Sequence, residues 1–236
     1  MDKTLQTTIP PRIARIRERI AQAEQRFGRK PGSVGLLAVS KKKPATGVRA
    51  AFEAGGQGAF GENYVQEALD KMKDLADLPA QWHFIGPIQS NKTRAIAEHF
   101  AWVHSLDRPA IARRLSEQRP PDLPPLAICL QVNVSGEATK SGVDLEGGLA
   151  SLFDLALAVM ELPRLDLRGL MTIPAPSRDE AAQREPYRRL REARDTLDAQ
   201  GLALDTLSMG MSDDLEAAIA EGATLVRIGT GIFGAR

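Results

Sequence analysis

Short apolar runs alternate with longer helix-like stretches along almost the whole chain, and that alternation decides most of what it can fold into. The runs are Val34–Val39, Gly58–Phe60, Trp82–Ile85, Trp102–His104, Ile128–Val132, Leu167–Met171, Leu207–Met209 and Leu225–Ile228. Between them lie segments of helical character, among them Glu62–Leu75, Arg108–Gln118, Leu145–Leu162, Arg184–Ala199 and Asp213–Glu221. Strand, helix, strand in succession requires right-handed crossovers and therefore a parallel sheet. About eight strands in 236 residues predict an α/β fold, a closed (β/α)8 TIM barrel near its usual length. The competing open, doubly wound sheet would carry a glycine fingerprint after its first strand, where this chain reads SKKKPATG.

A further helix is expected ahead of the barrel, over Pro11–Phe27. Ile13, Ile16, Ile20, Ala23 and Phe27 recur at helical spacing, prolines stand at the start, and Gly28 follows as a stop. Residues 1–30 then pack as an extra helix on the barrel, within a single domain spanning 1–236, because no linker rich in Pro, Gly or Ser divides the chain. The prolines Pro120–Pro125 join a helix to a strand, and the stretch IPAPSRDEAAQREP reads as a long surface loop.

Composition removes several classes of function. Lys and Arg total 31 against 30 acidic residues, a net charge of +1, so no global field steers the protein to nucleic acid or to an anionic membrane. The lone cysteine, Cys129, sits within an apolar run and cannot form an intramolecular disulfide. No apolar stretch approaches the roughly 18 residues of a membrane span, and MDKTLQTTIPPR lacks the core of a signal peptide, which predicts a cytoplasmic protein. His83, His99 and His104 lack the spacing of a zinc site, so no metal is expected, and His83 within its strand reads as a core histidine.

In a barrel, chemistry gathers at the carboxyl ends of the strands. The first ends in AVSKKKP, where period-two alternation puts Leu37, Val39 and Lys41 on one face, and Lys43 as well if the chain stays extended. A lysine amine between apolar walls and near a second cation has its pKa pushed down, which suits it to attack an aldehyde or ketone and form a Schiff base. In the last strand, TLVRIGTG, Arg227 shares its face with Leu225 and Gly229, while Val226 and Ile228 belong against the helices. Arg227 then points into the barrel, where a guanidinium needs either a carboxylate or a ligand acceptor.

The turn Gly229, Thr230, Gly231 offers backbone N–H groups at close approach. Ser212 reads as the N-cap of the preceding helix, at the place where barrels commonly hold phosphate. Asp213 and Asp214 are compatible with phosphate only if they face solvent. Asn63 follows the second strand. The set describes a phosphorylated carbonyl ligand, either pyridoxal phosphate or a sugar phosphate.

The segments AVSKKKP, FGENYVQEA, WHFIGPIQSNK, VHSLD, QVNVSGEATKSG, LRGLMTIP and LSMGMSDDLEAAIAEGATLVRIGTGIFGAR follow one another in a characteristic order. Together they resemble the pyridoxal-phosphate homeostasis proteins, once called proline synthase co-transcribed proteins, from about Val34 to Arg236. Departures are small: Lys42 where threonine is common, Gly231 where alanine is common, and Tyr187 near a position often phenylalanine. The resemblance implies a barrel like the alanine racemase N-terminal domain that holds pyridoxal 5′-phosphate (PLP) in Schiff-base linkage. It implies Lys41 as the linked lysine, Ser212, Gly229 and Thr230 at the phosphate, Arg227 facing the pyridine nitrogen, and Asn63 beside the ring. The implied role is that of a cofactor carrier or buffer whose partners are PLP and the apo-enzymes that need it.

Racemases built on this barrel take a second base, a tyrosine, from an added domain, and the chain ends at GAR directly after the last strand. The only tyrosines, Tyr64 and Tyr187, have no reason to face Lys41. A carrier, not an enzyme, is therefore expected. The alternative is a weakly active PLP-dependent racemase or decarboxylase. A monomer is expected, since the racemase dimer is built largely with the added domain.

Overall fold

The computed structural model describes residues 3–135, 141–145 and 148–235. Nine strands are described: β1 (Gly35–Val39), β2 (Ala59–Glu62), β3 (Gln81–Phe84), β4 (Trp102–Leu106), β5 (Leu126–Asn133), β6 (Val143–Asp144), β7 (Leu165–Met171), β8 (Thr206–Ser208) and β9 (Leu225–Ile228). All but β6 form a ring, β1-β2-β3-β4-β5-β7-β8-β9, closed where β9 pairs with β1. Every pairing is parallel. This is the (β/α)8 barrel that the alternation predicts. The short β6 was not anticipated. It extends β5 through the pairs Val132↔Val143 and Asn133↔Asp144, where β5 outruns β7.

Two apolar layers follow from the period of two. Ala38, Phe60, Val226 and Ile228 face outward into the main core against the helices. Leu37, Val39 and Ile85, with Ala59 and Leu225, form a separate cluster inside the ring. Arg227 pairs in register with Leu37, and His83 pairs with Gly61, whose Cβ would touch Leu37 and Ile85. Arg227 and His83 therefore lie on the inner face, as alternation requires of Arg227.

The helices are α1 (Lys3–Arg26), α2 (Ala45–Glu53), α3 (Val65–Asp74), α4 (Thr93–His99), α5 (Pro109–Gln118), α6 (Ala150–Met160), α7 (Glu180–Ala199), α8 (Leu215–Ala220) and α9 (Thr230–Phe233). α1 begins well before its prolines, so the expected start at Pro11 is corrected. The reason is that the apolar stripe continues upstream through Ile9, buried in the core, and Leu5, packed against it. α1 lies against α2, α8 and α9, across the seam where β9 meets β1. The stretch expected as a loop before Pro186 is half helix. Asp179 caps α7 by accepting the Ala182 N–H at 2.7 Å, and Pro186 falls within its first two turns. Glu62 closes β2 instead of opening α3.

Candidate functional site

A cavity of about 280 Å³ opens at the carboxyl ends of β1, β2 and β9. Lys41, Asn63, Ser212, Arg227, Gly229 and Thr230 all line it. Local geometry explains each placement.

The residues after β1 make a tight turn, in which the Lys43 N–H donates to the Ser40 carbonyl at 3.0 Å. Lys42, third in that turn, has φ +60°, the left-handed region that ordinarily selects Gly or Asn. The expectation that Lys43 continues on the Lys41 face is corrected by this turn. Lys43 Nζ instead reaches the carbonyls of Gly234 and Ala235, at 2.9 and 2.8 Å. Lys42 Nζ sits 5.7 Å from the centre of the Tyr64 ring. Of the three consecutive lysines, only Lys41 lines the cavity.

Asn63 reaches the rim because residue 86 is glycine. A Cβ on Gly86 would stand 2.3 Å from the Asn63 carbonyl oxygen, so any side chain there would push the loop after β2 away. The Asn63 Oδ1 is buried and has no partner among the described residues, an arrangement that suits a bound donor.

On the opposite wall, Ser212 Oγ and Thr230 Oγ1 lie 3.3 Å apart, and the Gly231 N–H also points at Ser212 Oγ at 3.3 Å. Ser212 is not the N-cap that the sequence suggests; Asp214 occupies that position. Nor does Asp214 face solvent. It is buried, accepting the Met211 N–H at 2.6 Å and the Tyr187 hydroxyl at 2.8 Å. Both of its oxygens are turned toward the protein, so it braces the turn that carries Ser212, while Asp213 remains exposed. Tyr187 is fully buried, and burial together with Asp214 holds its hydroxyl well above the ordinary phenol range.

Arg227 is only 4% exposed, and among the described residues no carboxylate hydrogen-bonds to it. It donates to the Thr172 carbonyl at 2.8 Å, to Ser208 Oγ at 2.9 Å and to the Ser208 carbonyl. Burial lowers its pKa from the ordinary guanidinium value. Behind it a row of polar groups runs through the barrel. Ser208 Oγ meets His104 Nδ1 at 2.8 Å, His104 Nε2 meets His83 Nδ1 at 2.9 Å, and His83 Nε2 meets Gln81 Oε1 at 3.1 Å. His83 is thus a satisfied interior histidine. The sequence reading missed Ser208, although Leu207 in the outer core puts Ser208 on the inner face by alternation.

The donor set fits a phosphorylated aldehyde: an amine, a hydroxyl pair beside a glycine turn, and an orphaned amide oxygen on one small cavity. Among the described residues, no group of His, Cys, Asp or Glu is arranged to hold a metal ion, and no helix is long and apolar enough to cross a membrane.

Comparison with known proteins bears on this geometry. The family profile described as alanine racemase, N-terminal domain, matches residues 12–236. The pyridoxal phosphate homeostasis protein of Pseudomonas aeruginosa is 64% identical over 230 residues, covering 98% of this chain and 96% of that protein. Its namesake in Escherichia coli K12 is 53% identical over 227 residues, covering 95% of each. Among solved structures, PipY of Synechococcus elongatus with PLP bound superposes with TM-score 0.77 at 39% identity, over 91% of this chain and all of that one. Alanine racemase of Corynebacterium glutamicum, at 19% identity and TM-score 0.67, shares the fold over 96% of this chain and 61% of its own. The chain belongs to the alanine racemase N-terminal-domain family, within its branch of pyridoxal phosphate homeostasis proteins.

Proposed function

We propose that this chain binds pyridoxal 5′-phosphate and serves cofactor homeostasis as a carrier or buffer, a single barrel domain over residues 1–236. The observation that carries the reading is the meeting of Lys41, Arg227 and the Ser212–Thr230 hydroxyl pair on one cavity. When bound, the cofactor supplies an aldehyde on an electron-withdrawing pyridine ring. Lys41 would be the residue that holds that aldehyde, its amine placed on the cavity wall to link to it. Ser212, Thr230 and the backbone at Gly229 would hold the phosphate, with Asn63 and Arg227 lining the part of the cavity that would receive the ring.

Arg227 also argues for a carrier. A guanidinium keeps its protons, so beside the ring it would leave a pyridine nitrogen unprotonated, and the cofactor would be a weaker electron sink. Efficient racemisation further needs a base on each face of the substrate. Tyr187 is occupied by Asp214 behind the cavity wall, and Tyr64 lies outside the cavity lining, beside Lys42. The names of the relatives point the same way. The carrier works in the cytoplasm as a monomer and passes cofactor to apo-enzymes.

A visible spectrum of the purified protein before and after borohydride, with the modified lysine located by mass spectrometry, tests the binding mode. A colourless protein that gains no band with added PLP overturns it. Incubation with a panel of L- and D-amino acids separates carrier from enzyme, and turnover at ordinary enzymatic rates overturns the carrier role.

A further inference from the structure

We propose that Glu67 and Lys71, neither of which lines the cavity, are positioning residues that aim Lys41 into it. The proposal rests on the reading of Lys41 as the attachment lysine and goes one step behind it.

The turn that carries Lys41 is gripped from outside the barrel. Glu67 Oε1, on α3, accepts the backbone N–H of Lys42. Lys71 Nζ, one turn further along α3, donates to Glu67 Oε1 at 2.6 Å, to Glu62 Oε1 at 2.7 Å and to the Ser40 carbonyl at 2.6 Å. Ser40 Oγ in turn donates to Glu62 Oε1 at 2.7 Å, and the Ser40 N–H to the Gly61 carbonyl at 3.0 Å. The peptide units on both sides of Lys41 are therefore held by β2 and α3, and none of these bonds engages the Lys41 side chain.

A purely structural turn would not need this arrangement. Lys42 is the only non-glycine residue with positive φ among the described residues, and it directly follows the proposed attachment lysine. A left-handed conformation in a residue with a Cβ persists only when its surroundings over-determine it, and such residues cluster at functional sites. Glycine at 42 would adopt it at no steric cost. The grip is itself costly, because Glu62 is fully buried and Lys71 is 5% exposed. Burial pushes the Glu62 carboxyl above its ordinary range, and its Oε2 has no partner among the described residues. Such a cluster, placed against this turn, fixes the backbone from which Lys41 projects.

The test uses the full chain, stripped of cofactor and given PLP, with the rise of the visible band followed and borohydride trapping mapped. Glu67→Ala is expected to slow covalent attachment about tenfold, since left-handed Lys42 loses its main restraint, with the Tm of the unligated protein little changed. Adding Lys42→Gly to Glu67→Ala is expected to restore the rate, because glycine holds the turn without the carboxylate. Glu67→Gln keeps an oxygen for the Lys42 N–H and is expected to react like the unaltered protein. Wild-type rates in Glu67→Ala, no rescue by Lys42→Gly, or a Gln variant as slow as Ala each overturn the proposal. If the unaltered protein traps PLP on a different lysine, the attachment reading falls and the positioning role with it. If Lys41 is trapped at equal rates in both proteins, only the positioning role falls.

Discussion

His104 Nδ1 lies 2.8 Å from Ser208 Oγ, and this contact fixes the proton positions through the middle of the barrel. Arg227 can only donate, so Ser208 Oγ accepts from it, and among the described residues His104 Nδ1 is the acceptor placed to take the hydroxyl's single proton. His104 must then carry its own proton on Nε2 and donate it to His83 Nδ1, and His83 donates from Nε2 to Gln81 Oε1. The acceptor lone pairs of the row point toward the guanidinium, which helps to solvate a buried cation that has no carboxylate in hydrogen-bonding contact among the described residues. A proton added to His83 Nδ1 would bring two N–H groups face to face, and one added to His104 Nδ1 would meet the Ser208 hydroxyl proton. Burial pushes both histidines down, His83 to about 3 and His104 well below its usual value.

The row makes a direct spectroscopic prediction. In ¹⁵N NMR of histidine-labelled protein, His83 and His104 are expected as neutral Nε2–H tautomers at neutral pH and still so at mildly acidic pH. An Nδ1–H tautomer or an imidazolium at either site would contradict the polarity derived from Arg227.

The same two residues set a pH dependence of stability. Their folded pKa values lie below the unfolded value near 6.5. The unfolded chain therefore takes up protons that the folded one refuses. Their contribution is complete above that pH and is lost as pH falls below about 6.5, for His83 down to about 3, at up to ~1.4 kcal/mol per pH unit for each histidine. Urea unfolding at neutral pH and near pH 5 measures it. A free energy of unfolding that is flat across this range would show that the rings titrate normally.

Lys41→Ala is expected to abolish the visible band and borohydride trapping while the unligated protein melts as before. The side chain stands at the end of a strand and is only half-buried. Persistent colour would shift attachment to another lysine. Lys43 is already engaged with two carbonyls, and Lys140 lies outside the described residues.

Thr230→Val removes the hydroxyl that stands 3.3 Å from Ser212 Oγ. Loss of one hydrogen bond to a charged phosphate is worth roughly 1.5–3 kcal/mol, so the PLP Kd is expected to rise about tenfold or more. Equilibrium titration by fluorescence reads the Kd, and an unchanged value would move the phosphate elsewhere.

Gly86→Ala tests the loop that carries Asn63. The added Cβ meets backbone at 2.3 Å, an overlap that no side-chain rotation relieves. Overpacking of this kind costs about 1–3 kcal/mol, and PLP affinity is expected to fall with stability because Asn63 must move. Thermal denaturation and titration check both. A variant that melts and binds as the parent does would show that the rim is compliant.

What was legible in the sequence was whatever depends on local period. Parity alone placed Arg227 inside the barrel and Val226 and Ile228 outside, and it would have placed Ser208 inside as well. Contacts between distant segments were not legible. Asp214 looks like a solvent-facing helix-start acid until Tyr187, 27 residues away, is seen to supply its partner. The turn at Lys42 carries no Gly or Asn to announce it, and the Glu67 carboxylate that accepts the Lys42 N–H comes from α3, 25 residues on. α1 began earlier than expected because prolines were read as a boundary, whereas Leu5 and Ile9 extend the stripe past them.

The seam between β9 and β1 is bridged by α1. Arg12 NH1 reaches the Ile232 carbonyl at 3.4 Å, and Arg19 NH2 the Ser212 carbonyl at 3.1 Å. Lys41 leaves the ribosome long before Arg227, Gly229 and Thr230, so a nascent chain holds the amine without the pocket around it. Closure of the cavity around that amine must therefore wait for β9 to dock beside β1, which couples any ligand capture there to completion of the barrel ring.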